Sequence, residues 1–146
     1  MNGVSQLHSK VIQLRIFKVF TWIVRVLLAL GFLPSGLKKI LGERFTTLDL
    51  DTPVGFFFEA LYRTGFYWNF LGFMQLLVLV LILIPRTAFL GAILYLPIIL
   101  NIFIIVVSMN FKGTPYVVGL MVLANLYLLF WDFDKLKKML KTILEK

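Results

Sequence analysis

Apolar residues along this chain gather into four long runs separated by short polar breaks. A helix needs about 20 mostly apolar residues to cross the hydrocarbon core of a bilayer. The first run, 17–37, contains Arg25 and Pro34. The second, 66–84, stops at Pro85-Arg86, and the third, 88–108, contains Pro97. A polar turn from Asn110 to Pro115 leads into the fourth, 116–131. Links this short make the last three helices antiparallel neighbours. The pattern therefore predicts one all-α domain over 1–146, a transmembrane four-helix bundle.

Two shorter stretches have helical periodicity on one face only. Thr52-Pro53 reads as a helix start, because threonine caps and proline suits the first helical position. Phe56, Phe57, Ala60 and Leu61 follow at helical spacing, Glu59 and Arg63 stand four apart in the favoured order, and Gly65 is placed to end the helix. The expectation is a short interfacial helix over 53–64 in the first outer loop. In the tail, Leu136, Met139, Leu140, Ile143 and Leu144 form an apolar stripe opposite a row of lysines. That is the pattern of an amphipathic helix lying on an anionic leaflet.

Each long run carries one strongly polar residue away from its ends: Arg25, Gln75, Asn101 and Asn125. Polar groups in hydrocarbon are costly and face inward, paired. Counted from one edge of the membrane at about 1.5 Å per residue, the four fall within a layer roughly 10 Å deep. The expectation is a single polar, ligand-binding layer inside the bundle. Ser108 lies seven residues after Asn101 and Asp132 seven after Asn125, which adds both to the same faces. Helical side chains lean toward their own N-terminus, so an Arg25–Asp132 pair, direct or through Asn125, is expected. The rival reading makes the amides simple interhelical glue, worth about 0.6 kcal/mol each. Gly31, Ser35, Gly36, Gly72, Gly91 and Gly119 permit close helix approach.

Composition narrows the choice. Apolar residues make up 60% of the 146 and charged residues 15%, against roughly 45–50% and about 25% in soluble domains. So small a chain could not cover its surface with so few polar groups. The net charge of +8 would suit nucleic acid, but fifteen Phe and the apolar runs assign it to flanks that face anionic lipid. With no cysteine, this chain alone cannot supply a disulfide or a thiolate, and with His8 as the single histidine a metal centre is not expected of it. The first run is too long for a cleavable signal peptide and is expected to stay as an anchor.

Charge also sets orientation. Lys10, Arg15, Lys18, Arg86, Lys135, Lys137, Lys138, Lys141 and Lys146 fall on one side, and Lys38, Lys39, Arg44, Arg63 and Lys112 on the other. This bias predicts both termini in the cytoplasm.

Residues 25–40 read RVLLALGFLPSGLKKI. This resembles the first-helix signature of the DoxX family of small four-helix membrane proteins, in which an Arg leads an aliphatic run into Ser-Gly-x-x-Lys. The segments TGFYWNFLG (64–72), LIPRTAFLG (83–91) and LYLL (126–129) are similar to the family's later helix boundaries. The resemblance implies a multi-pass protein of a bacterial inner membrane, serving as subunit or accessory of a quinone-linked redox system with a redox partner protein. It matches Arg25, Ser35, Gly36 and Lys39 to family positions. Many relatives carry a Glu where this chain has Gln75, and glutamine cannot exchange a proton. The quinone, bound non-covalently, would sit among Arg25, Gln75, Asn101 and Asn125. Two other readings stay open beside this one: a non-enzymatic scaffold for a partner protein, and a small-solute carrier, which four short helices could form only by self-association.

Overall fold

A computed structural model describes residues 13–144. His8, Lys10 and Lys146 lie outside that range. Among the described residues the chain forms six helices and no strands: α1 (Arg15–Ile40), α2 (Pro53–Arg63), α3 (Phe66–Leu83), α4 (Ala88–Ser108), α5 (Thr114–Trp131) and α6 (Phe133–Leu144). Helices α1, α3, α4 and α5 are each long and apolar enough to span a bilayer. Each of the four leads by a turn or loop into the next, and α1 packs on α3, α3 on α4, α4 on α5 and α5 back on α1. This is a multi-pass membrane protein built as a closed, up-and-down four-helix bundle.

The helix ends follow local chemistry. Helix α1 runs beyond the expected 17–37 at both ends and continues through Pro34. It stops where Gly42 takes a φ of 70°. There the Gly42 and Glu43 amides bond back to the Lys39 and Lys38 carbonyls at 3.1 and 2.8 Å, a Schellman closure. Helix α4 closes in the same way with Asn110 at φ 51°, as Asn110 and Phe111 bond back to Val107 and Val106. Helix α2 begins as its sequence indicates, with Thr52 Oγ1 accepting from the Gly55 amide at 3.0 Å and Pro53 in the first turn. Helix α5 starts at Thr114 rather than 116, because Pro115 is accommodated in a first turn that Gly113 (φ 78°) introduces.

The core is a thin column of Leu28, Phe32, Val78, Ile82, Tyr95 and Ile99. Phe32 stacks on Tyr95 with ring centroids 4.0 Å apart. Around it the surface is apolar: Ile16, Leu27, Ile104 and Leu120 are each more than 60% exposed. A water-soluble bundle would bury such residues, whereas lipid accommodates them on the outside. Two glycines set the spacing. A Cβ on Gly72 would lie 2.5 Å from the Ile40 nitrogen, and one on Gly91 would lie 2.7 Å from the Ile82 nitrogen. Only bare backbone fits where α3 crosses α1 and where α4 meets α3.

Candidate functional site

The intramembrane polar residues form two separate sites and one outlier. The first site joins α1 to α3. Lys39 and Ser35 stand one helical turn apart on α1, and Lys39 Nζ donates to Ser35 Oγ and, at 3.1 Å, to Gln75 Oε1. Ser35 Oγ donates to the same amide oxygen at 3.2 Å. The ammonium also lies 4.8 Å from the Phe45 ring centroid and 5.2 Å from that of Trp68. Trp68 is itself held by a 2.9 Å bond from its indole N–H to the Glu43 carbonyl. Lys39 is therefore buried among the Ser35 hydroxyl and carbonyl, one amide oxygen and two aromatic faces, which solvate a cation in place of water. Gly36 and Gly72 make room for this by letting the two helices touch.

The second is a set of buried polar residues on α1 and α5, two helices that Thr21 and Tyr127 join. Arg25 is 92% buried by its 8% exposure, and Asn125 is fully buried. Asn125 Nδ2 donates to the Ala92 carbonyl of α4 at 3.0 Å, but its Oδ1 has no partner. The Arg25 guanidinium stacks 5.6 Å over Trp22, and its Nε is buried with no acceptor. Around these, Thr21 Oγ1 donates to the Phe17 carbonyl at 2.8 Å, so the 2.9 Å contact with Tyr127 has the Tyr127 hydroxyl as donor. Tyr95 donates to the Leu28 carbonyl at 3.3 Å. These two tyrosines tie α5 and α4 to α1 on either side of Arg25.

Asp132 is near enough to act on Arg25 electrostatically, yet no ion pair forms between them. Its carboxylate instead pairs with Lys135 at 2.8 Å, one turn along in α6. The expected Arg25–Asp132 pair is thus replaced by a local one, and Asn125 does not bridge them because its amide is turned to Ala92.

Gln75 does not join Arg25 in one layer. It pairs with Ser35, ten residues after Arg25 and so about 15 Å further along α1. The expected layer assumed helices starting at one level, whereas α1 has 26 residues and α3 only 18, so equal counts from their ends do not reach equal depths. Asn101 departs for a different reason. It follows Ile99, which faces the core, by two residues, or about 200° of helix rotation. It is consequently exposed on the lipid side of α4, as is Ser108, whose hydroxyl is taken up by the Ile105 carbonyl at 3.0 Å. The sequence reading missed Thr21, Tyr127, Tyr95 and the Phe45–Trp68 cage. Apolar neighbours mask such hydroxyls and rings, and the only available signal was the four-residue phase of Thr21 with Arg25.

Among the described residues no three His, Cys, Asp or Glu side chains gather as metal ligands. The sequence matches no family model, and no solved structure matches it. It is 38% identical over 87 residues to a Bacillus subtilis protein named uncharacterized protein YwoB, an alignment covering 56% of each chain. The chain thus spans little more than half the length of that relative.

Proposed function

We propose that this protein is an accessory membrane subunit of a quinone-linked redox system in a bacterial inner membrane, with both chain ends cytoplasmic. Arg25 and Asn125 would receive the head group of the quinone. The observation that carries this reading is the pair of buried polar atoms without partners: a donor, Arg25 Nε, and an acceptor, Asn125 Oδ1. Buried polar groups in native proteins are almost always satisfied, so a donor left over on α1 and an acceptor left over on α5 are groups that a bound polar molecule could engage. A quinone carbonyl accepts from the guanidinium, the hydroxyl of its reduced form donates to the amide oxygen, and the Trp22 ring offers a flat neighbour. The resemblance to DoxX proteins at Arg25, Ser35, Gly36 and Lys39 points the same way. Electrons would have to come from a partner protein, since the chain has no cysteine and one histidine.

The test is the quinone content of protein purified in mild detergent. Wild type is expected to carry quinone, and Arg25→Leu and Asn125→Leu to lose it at least tenfold while remaining folded. Equal, quinone-free samples would end this reading in favour of a non-enzymatic scaffold. The Ser35–Lys39–Gln75 cluster favours such a scaffold, because its ammonium, its hydroxyl and the Gln75 amide oxygen are spent on one another across α1 and α3.

A further inference from the structure

Of Arg25, Gln75, Asn101 and Asn125, Asn101 is the one that the bundle leaves outside. Helix α4 has 21 residues, about 31 Å, which matches the hydrocarbon thickness. Asn101 lies seven residues, or about 10 Å, from the nearer end. Its short side chain cannot reach the interface from there. It makes no hydrogen bond among the described residues, either across the bundle or back to its own helix, whereas Ser108 is satisfied locally. A carboxamide left in lipid with two donors and an acceptor unmet is a costly placement.

The face around it has a definite pattern. Leu90, Pro97, Asn101, Ile104 and Ser108 are all exposed and recur at spacings of seven, four, three and four. That is the a/d seam of a left-handed helix pair, with Leu90, Pro97 and Ile104 at d and Asn101 and Ser108 at a. Membrane helix pairs commonly adopt this geometry, and a single Asn at an a position fixes register and pairing state.

We propose that α4 is a homodimer interface, in which Asn101 pairs with Asn101 of a second copy across a two-fold axis along the membrane normal. Two copies inserted in the same sense are related by such an axis, and it sets equivalent residues of the seam opposite each other. A carboxamide suits that position because it donates and accepts at once, so each copy satisfies the other. A foreign chain would need its own donor and acceptor at this depth; a second copy supplies them by symmetry. The inference is independent of the quinone reading, since Arg25 and Asn125 lie on the opposite, inward side.

The chain has no native cysteine, so one introduced thiol reports alone. Ile104→Cys, oxidised mildly in native membranes, is expected to give at least ten times more disulfide-linked dimer than Leu120→Cys, an equally exposed position on α5. Adding Asn101→Leu to Ile104→Cys should reduce the dimer about tenfold, and Asn101→Gln should largely retain it. Equal yields from Ile104→Cys and Leu120→Cys, a dimer indifferent to Asn101→Leu, or an adduct with a different protein would each overturn the proposal. Sedimentation of the unmodified chain in a lipid-like detergent is the second measurement: a dimer mass is expected and a monomer mass refutes it.

Discussion

Among the described residues no carboxylate pairs with Lys39, so its charge rests on Ser35, Gln75 and two aromatic faces. A buried donor that loses its acceptor costs about 1–3 kcal/mol, more when it is charged. Gln75→Leu should therefore destabilise the bundle by at least that amount in thermal melts in detergent. Lys39→Met added to Gln75→Leu should recover much of the loss, because removing both partners of a buried polar contact is cheaper than removing one. Single and double variants of equal stability would show that the cluster carries no such coupling. The Ser35–Lys39 half of the cluster is legible in the sequence, being a four-residue spacing on one helix face. Its junction with Gln75 was not, because the relative depth of two helices depends on where each begins and on their crossing. Apolar periodicity does not say which face of α4 is inward when nearly every face is apolar, and that is why Asn101 reads as interior and stands outside.

The first loop is held down as an element by ion pairs as well as by the burial of Val54 and the packing of Phe58 on Phe111. Glu59 on α2 accepts from Arg44 Nε at 2.8 Å, from Arg44 Nη2 at 3.1 Å, and from Arg63 at 2.9 Å, while Arg44 also lies over Tyr62 at 4.6 Å. The Glu59–Arg63 pair follows directly from the sequence; the Arg44 link is a long-range contact that periodicity does not contain. Hydrogen bonds from Arg44 and Arg63 hold the Glu59 carboxyl down to about 2, from an ordinary 4.5. A lowered carboxyl stabilises the fold fully above its ordinary value and loses that contribution as pH falls through the lowered one. Tryptophan fluorescence of a variant keeping only Trp68, which sits under this loop, should thus hold steady well below pH 4.5 and change as pH nears 2. In Glu59→Gln the acid transition should vanish; a transition unchanged by that substitution would assign it to another group. The α1–α3 contact offers a second check at this scale. Gly72→Ala would set a methyl against the Ile40 nitrogen and the Gly36 carbonyl, and overpacking of this kind costs about 1–3 kcal/mol. The melting temperature should fall, and Gly119→Ala, whose Cβ would meet only the Phe103 ring at 3.4 Å, should leave it nearly unchanged.

For the whole molecule the spans follow from length and hydropathy, which water and lipid impose alike on any sequence, so the four-helix architecture is legible before any packing is known. Sidedness rests on a finer balance. An even number of crossings puts the start of α1 and the end of α5 on the same side, together with the α3–α4 turn and α6. That side holds the described Arg15, Lys18, Arg86, Lys135, Lys137, Lys138 and Lys141; the opposite side holds Lys38, Lys39, Arg44, Arg63 and Lys112. Lys39 is spent inside the bundle, and Arg44 and Arg63 are tied to Glu59. The effective bias is thereby stronger than the residue count suggests. The four lysines of α6 add to it, since an anionic inner leaflet attracts each by about 1 kcal/mol. The proposed cytoplasmic placement of the chain ends predicts a clear labelling pattern. In right-side-out spheroplasts a membrane-impermeant maleimide should modify Thr47→Cys, in the loop before α2, and should reach Thr142→Cys on α6 only after permeabilisation. The reverse pattern would place the basic helix on the outer face and remove the electrostatic argument. Labelling of both sites without permeabilisation would mean two inserted orientations, and antiparallel copies could not then bring Asn101 to meet itself at one depth.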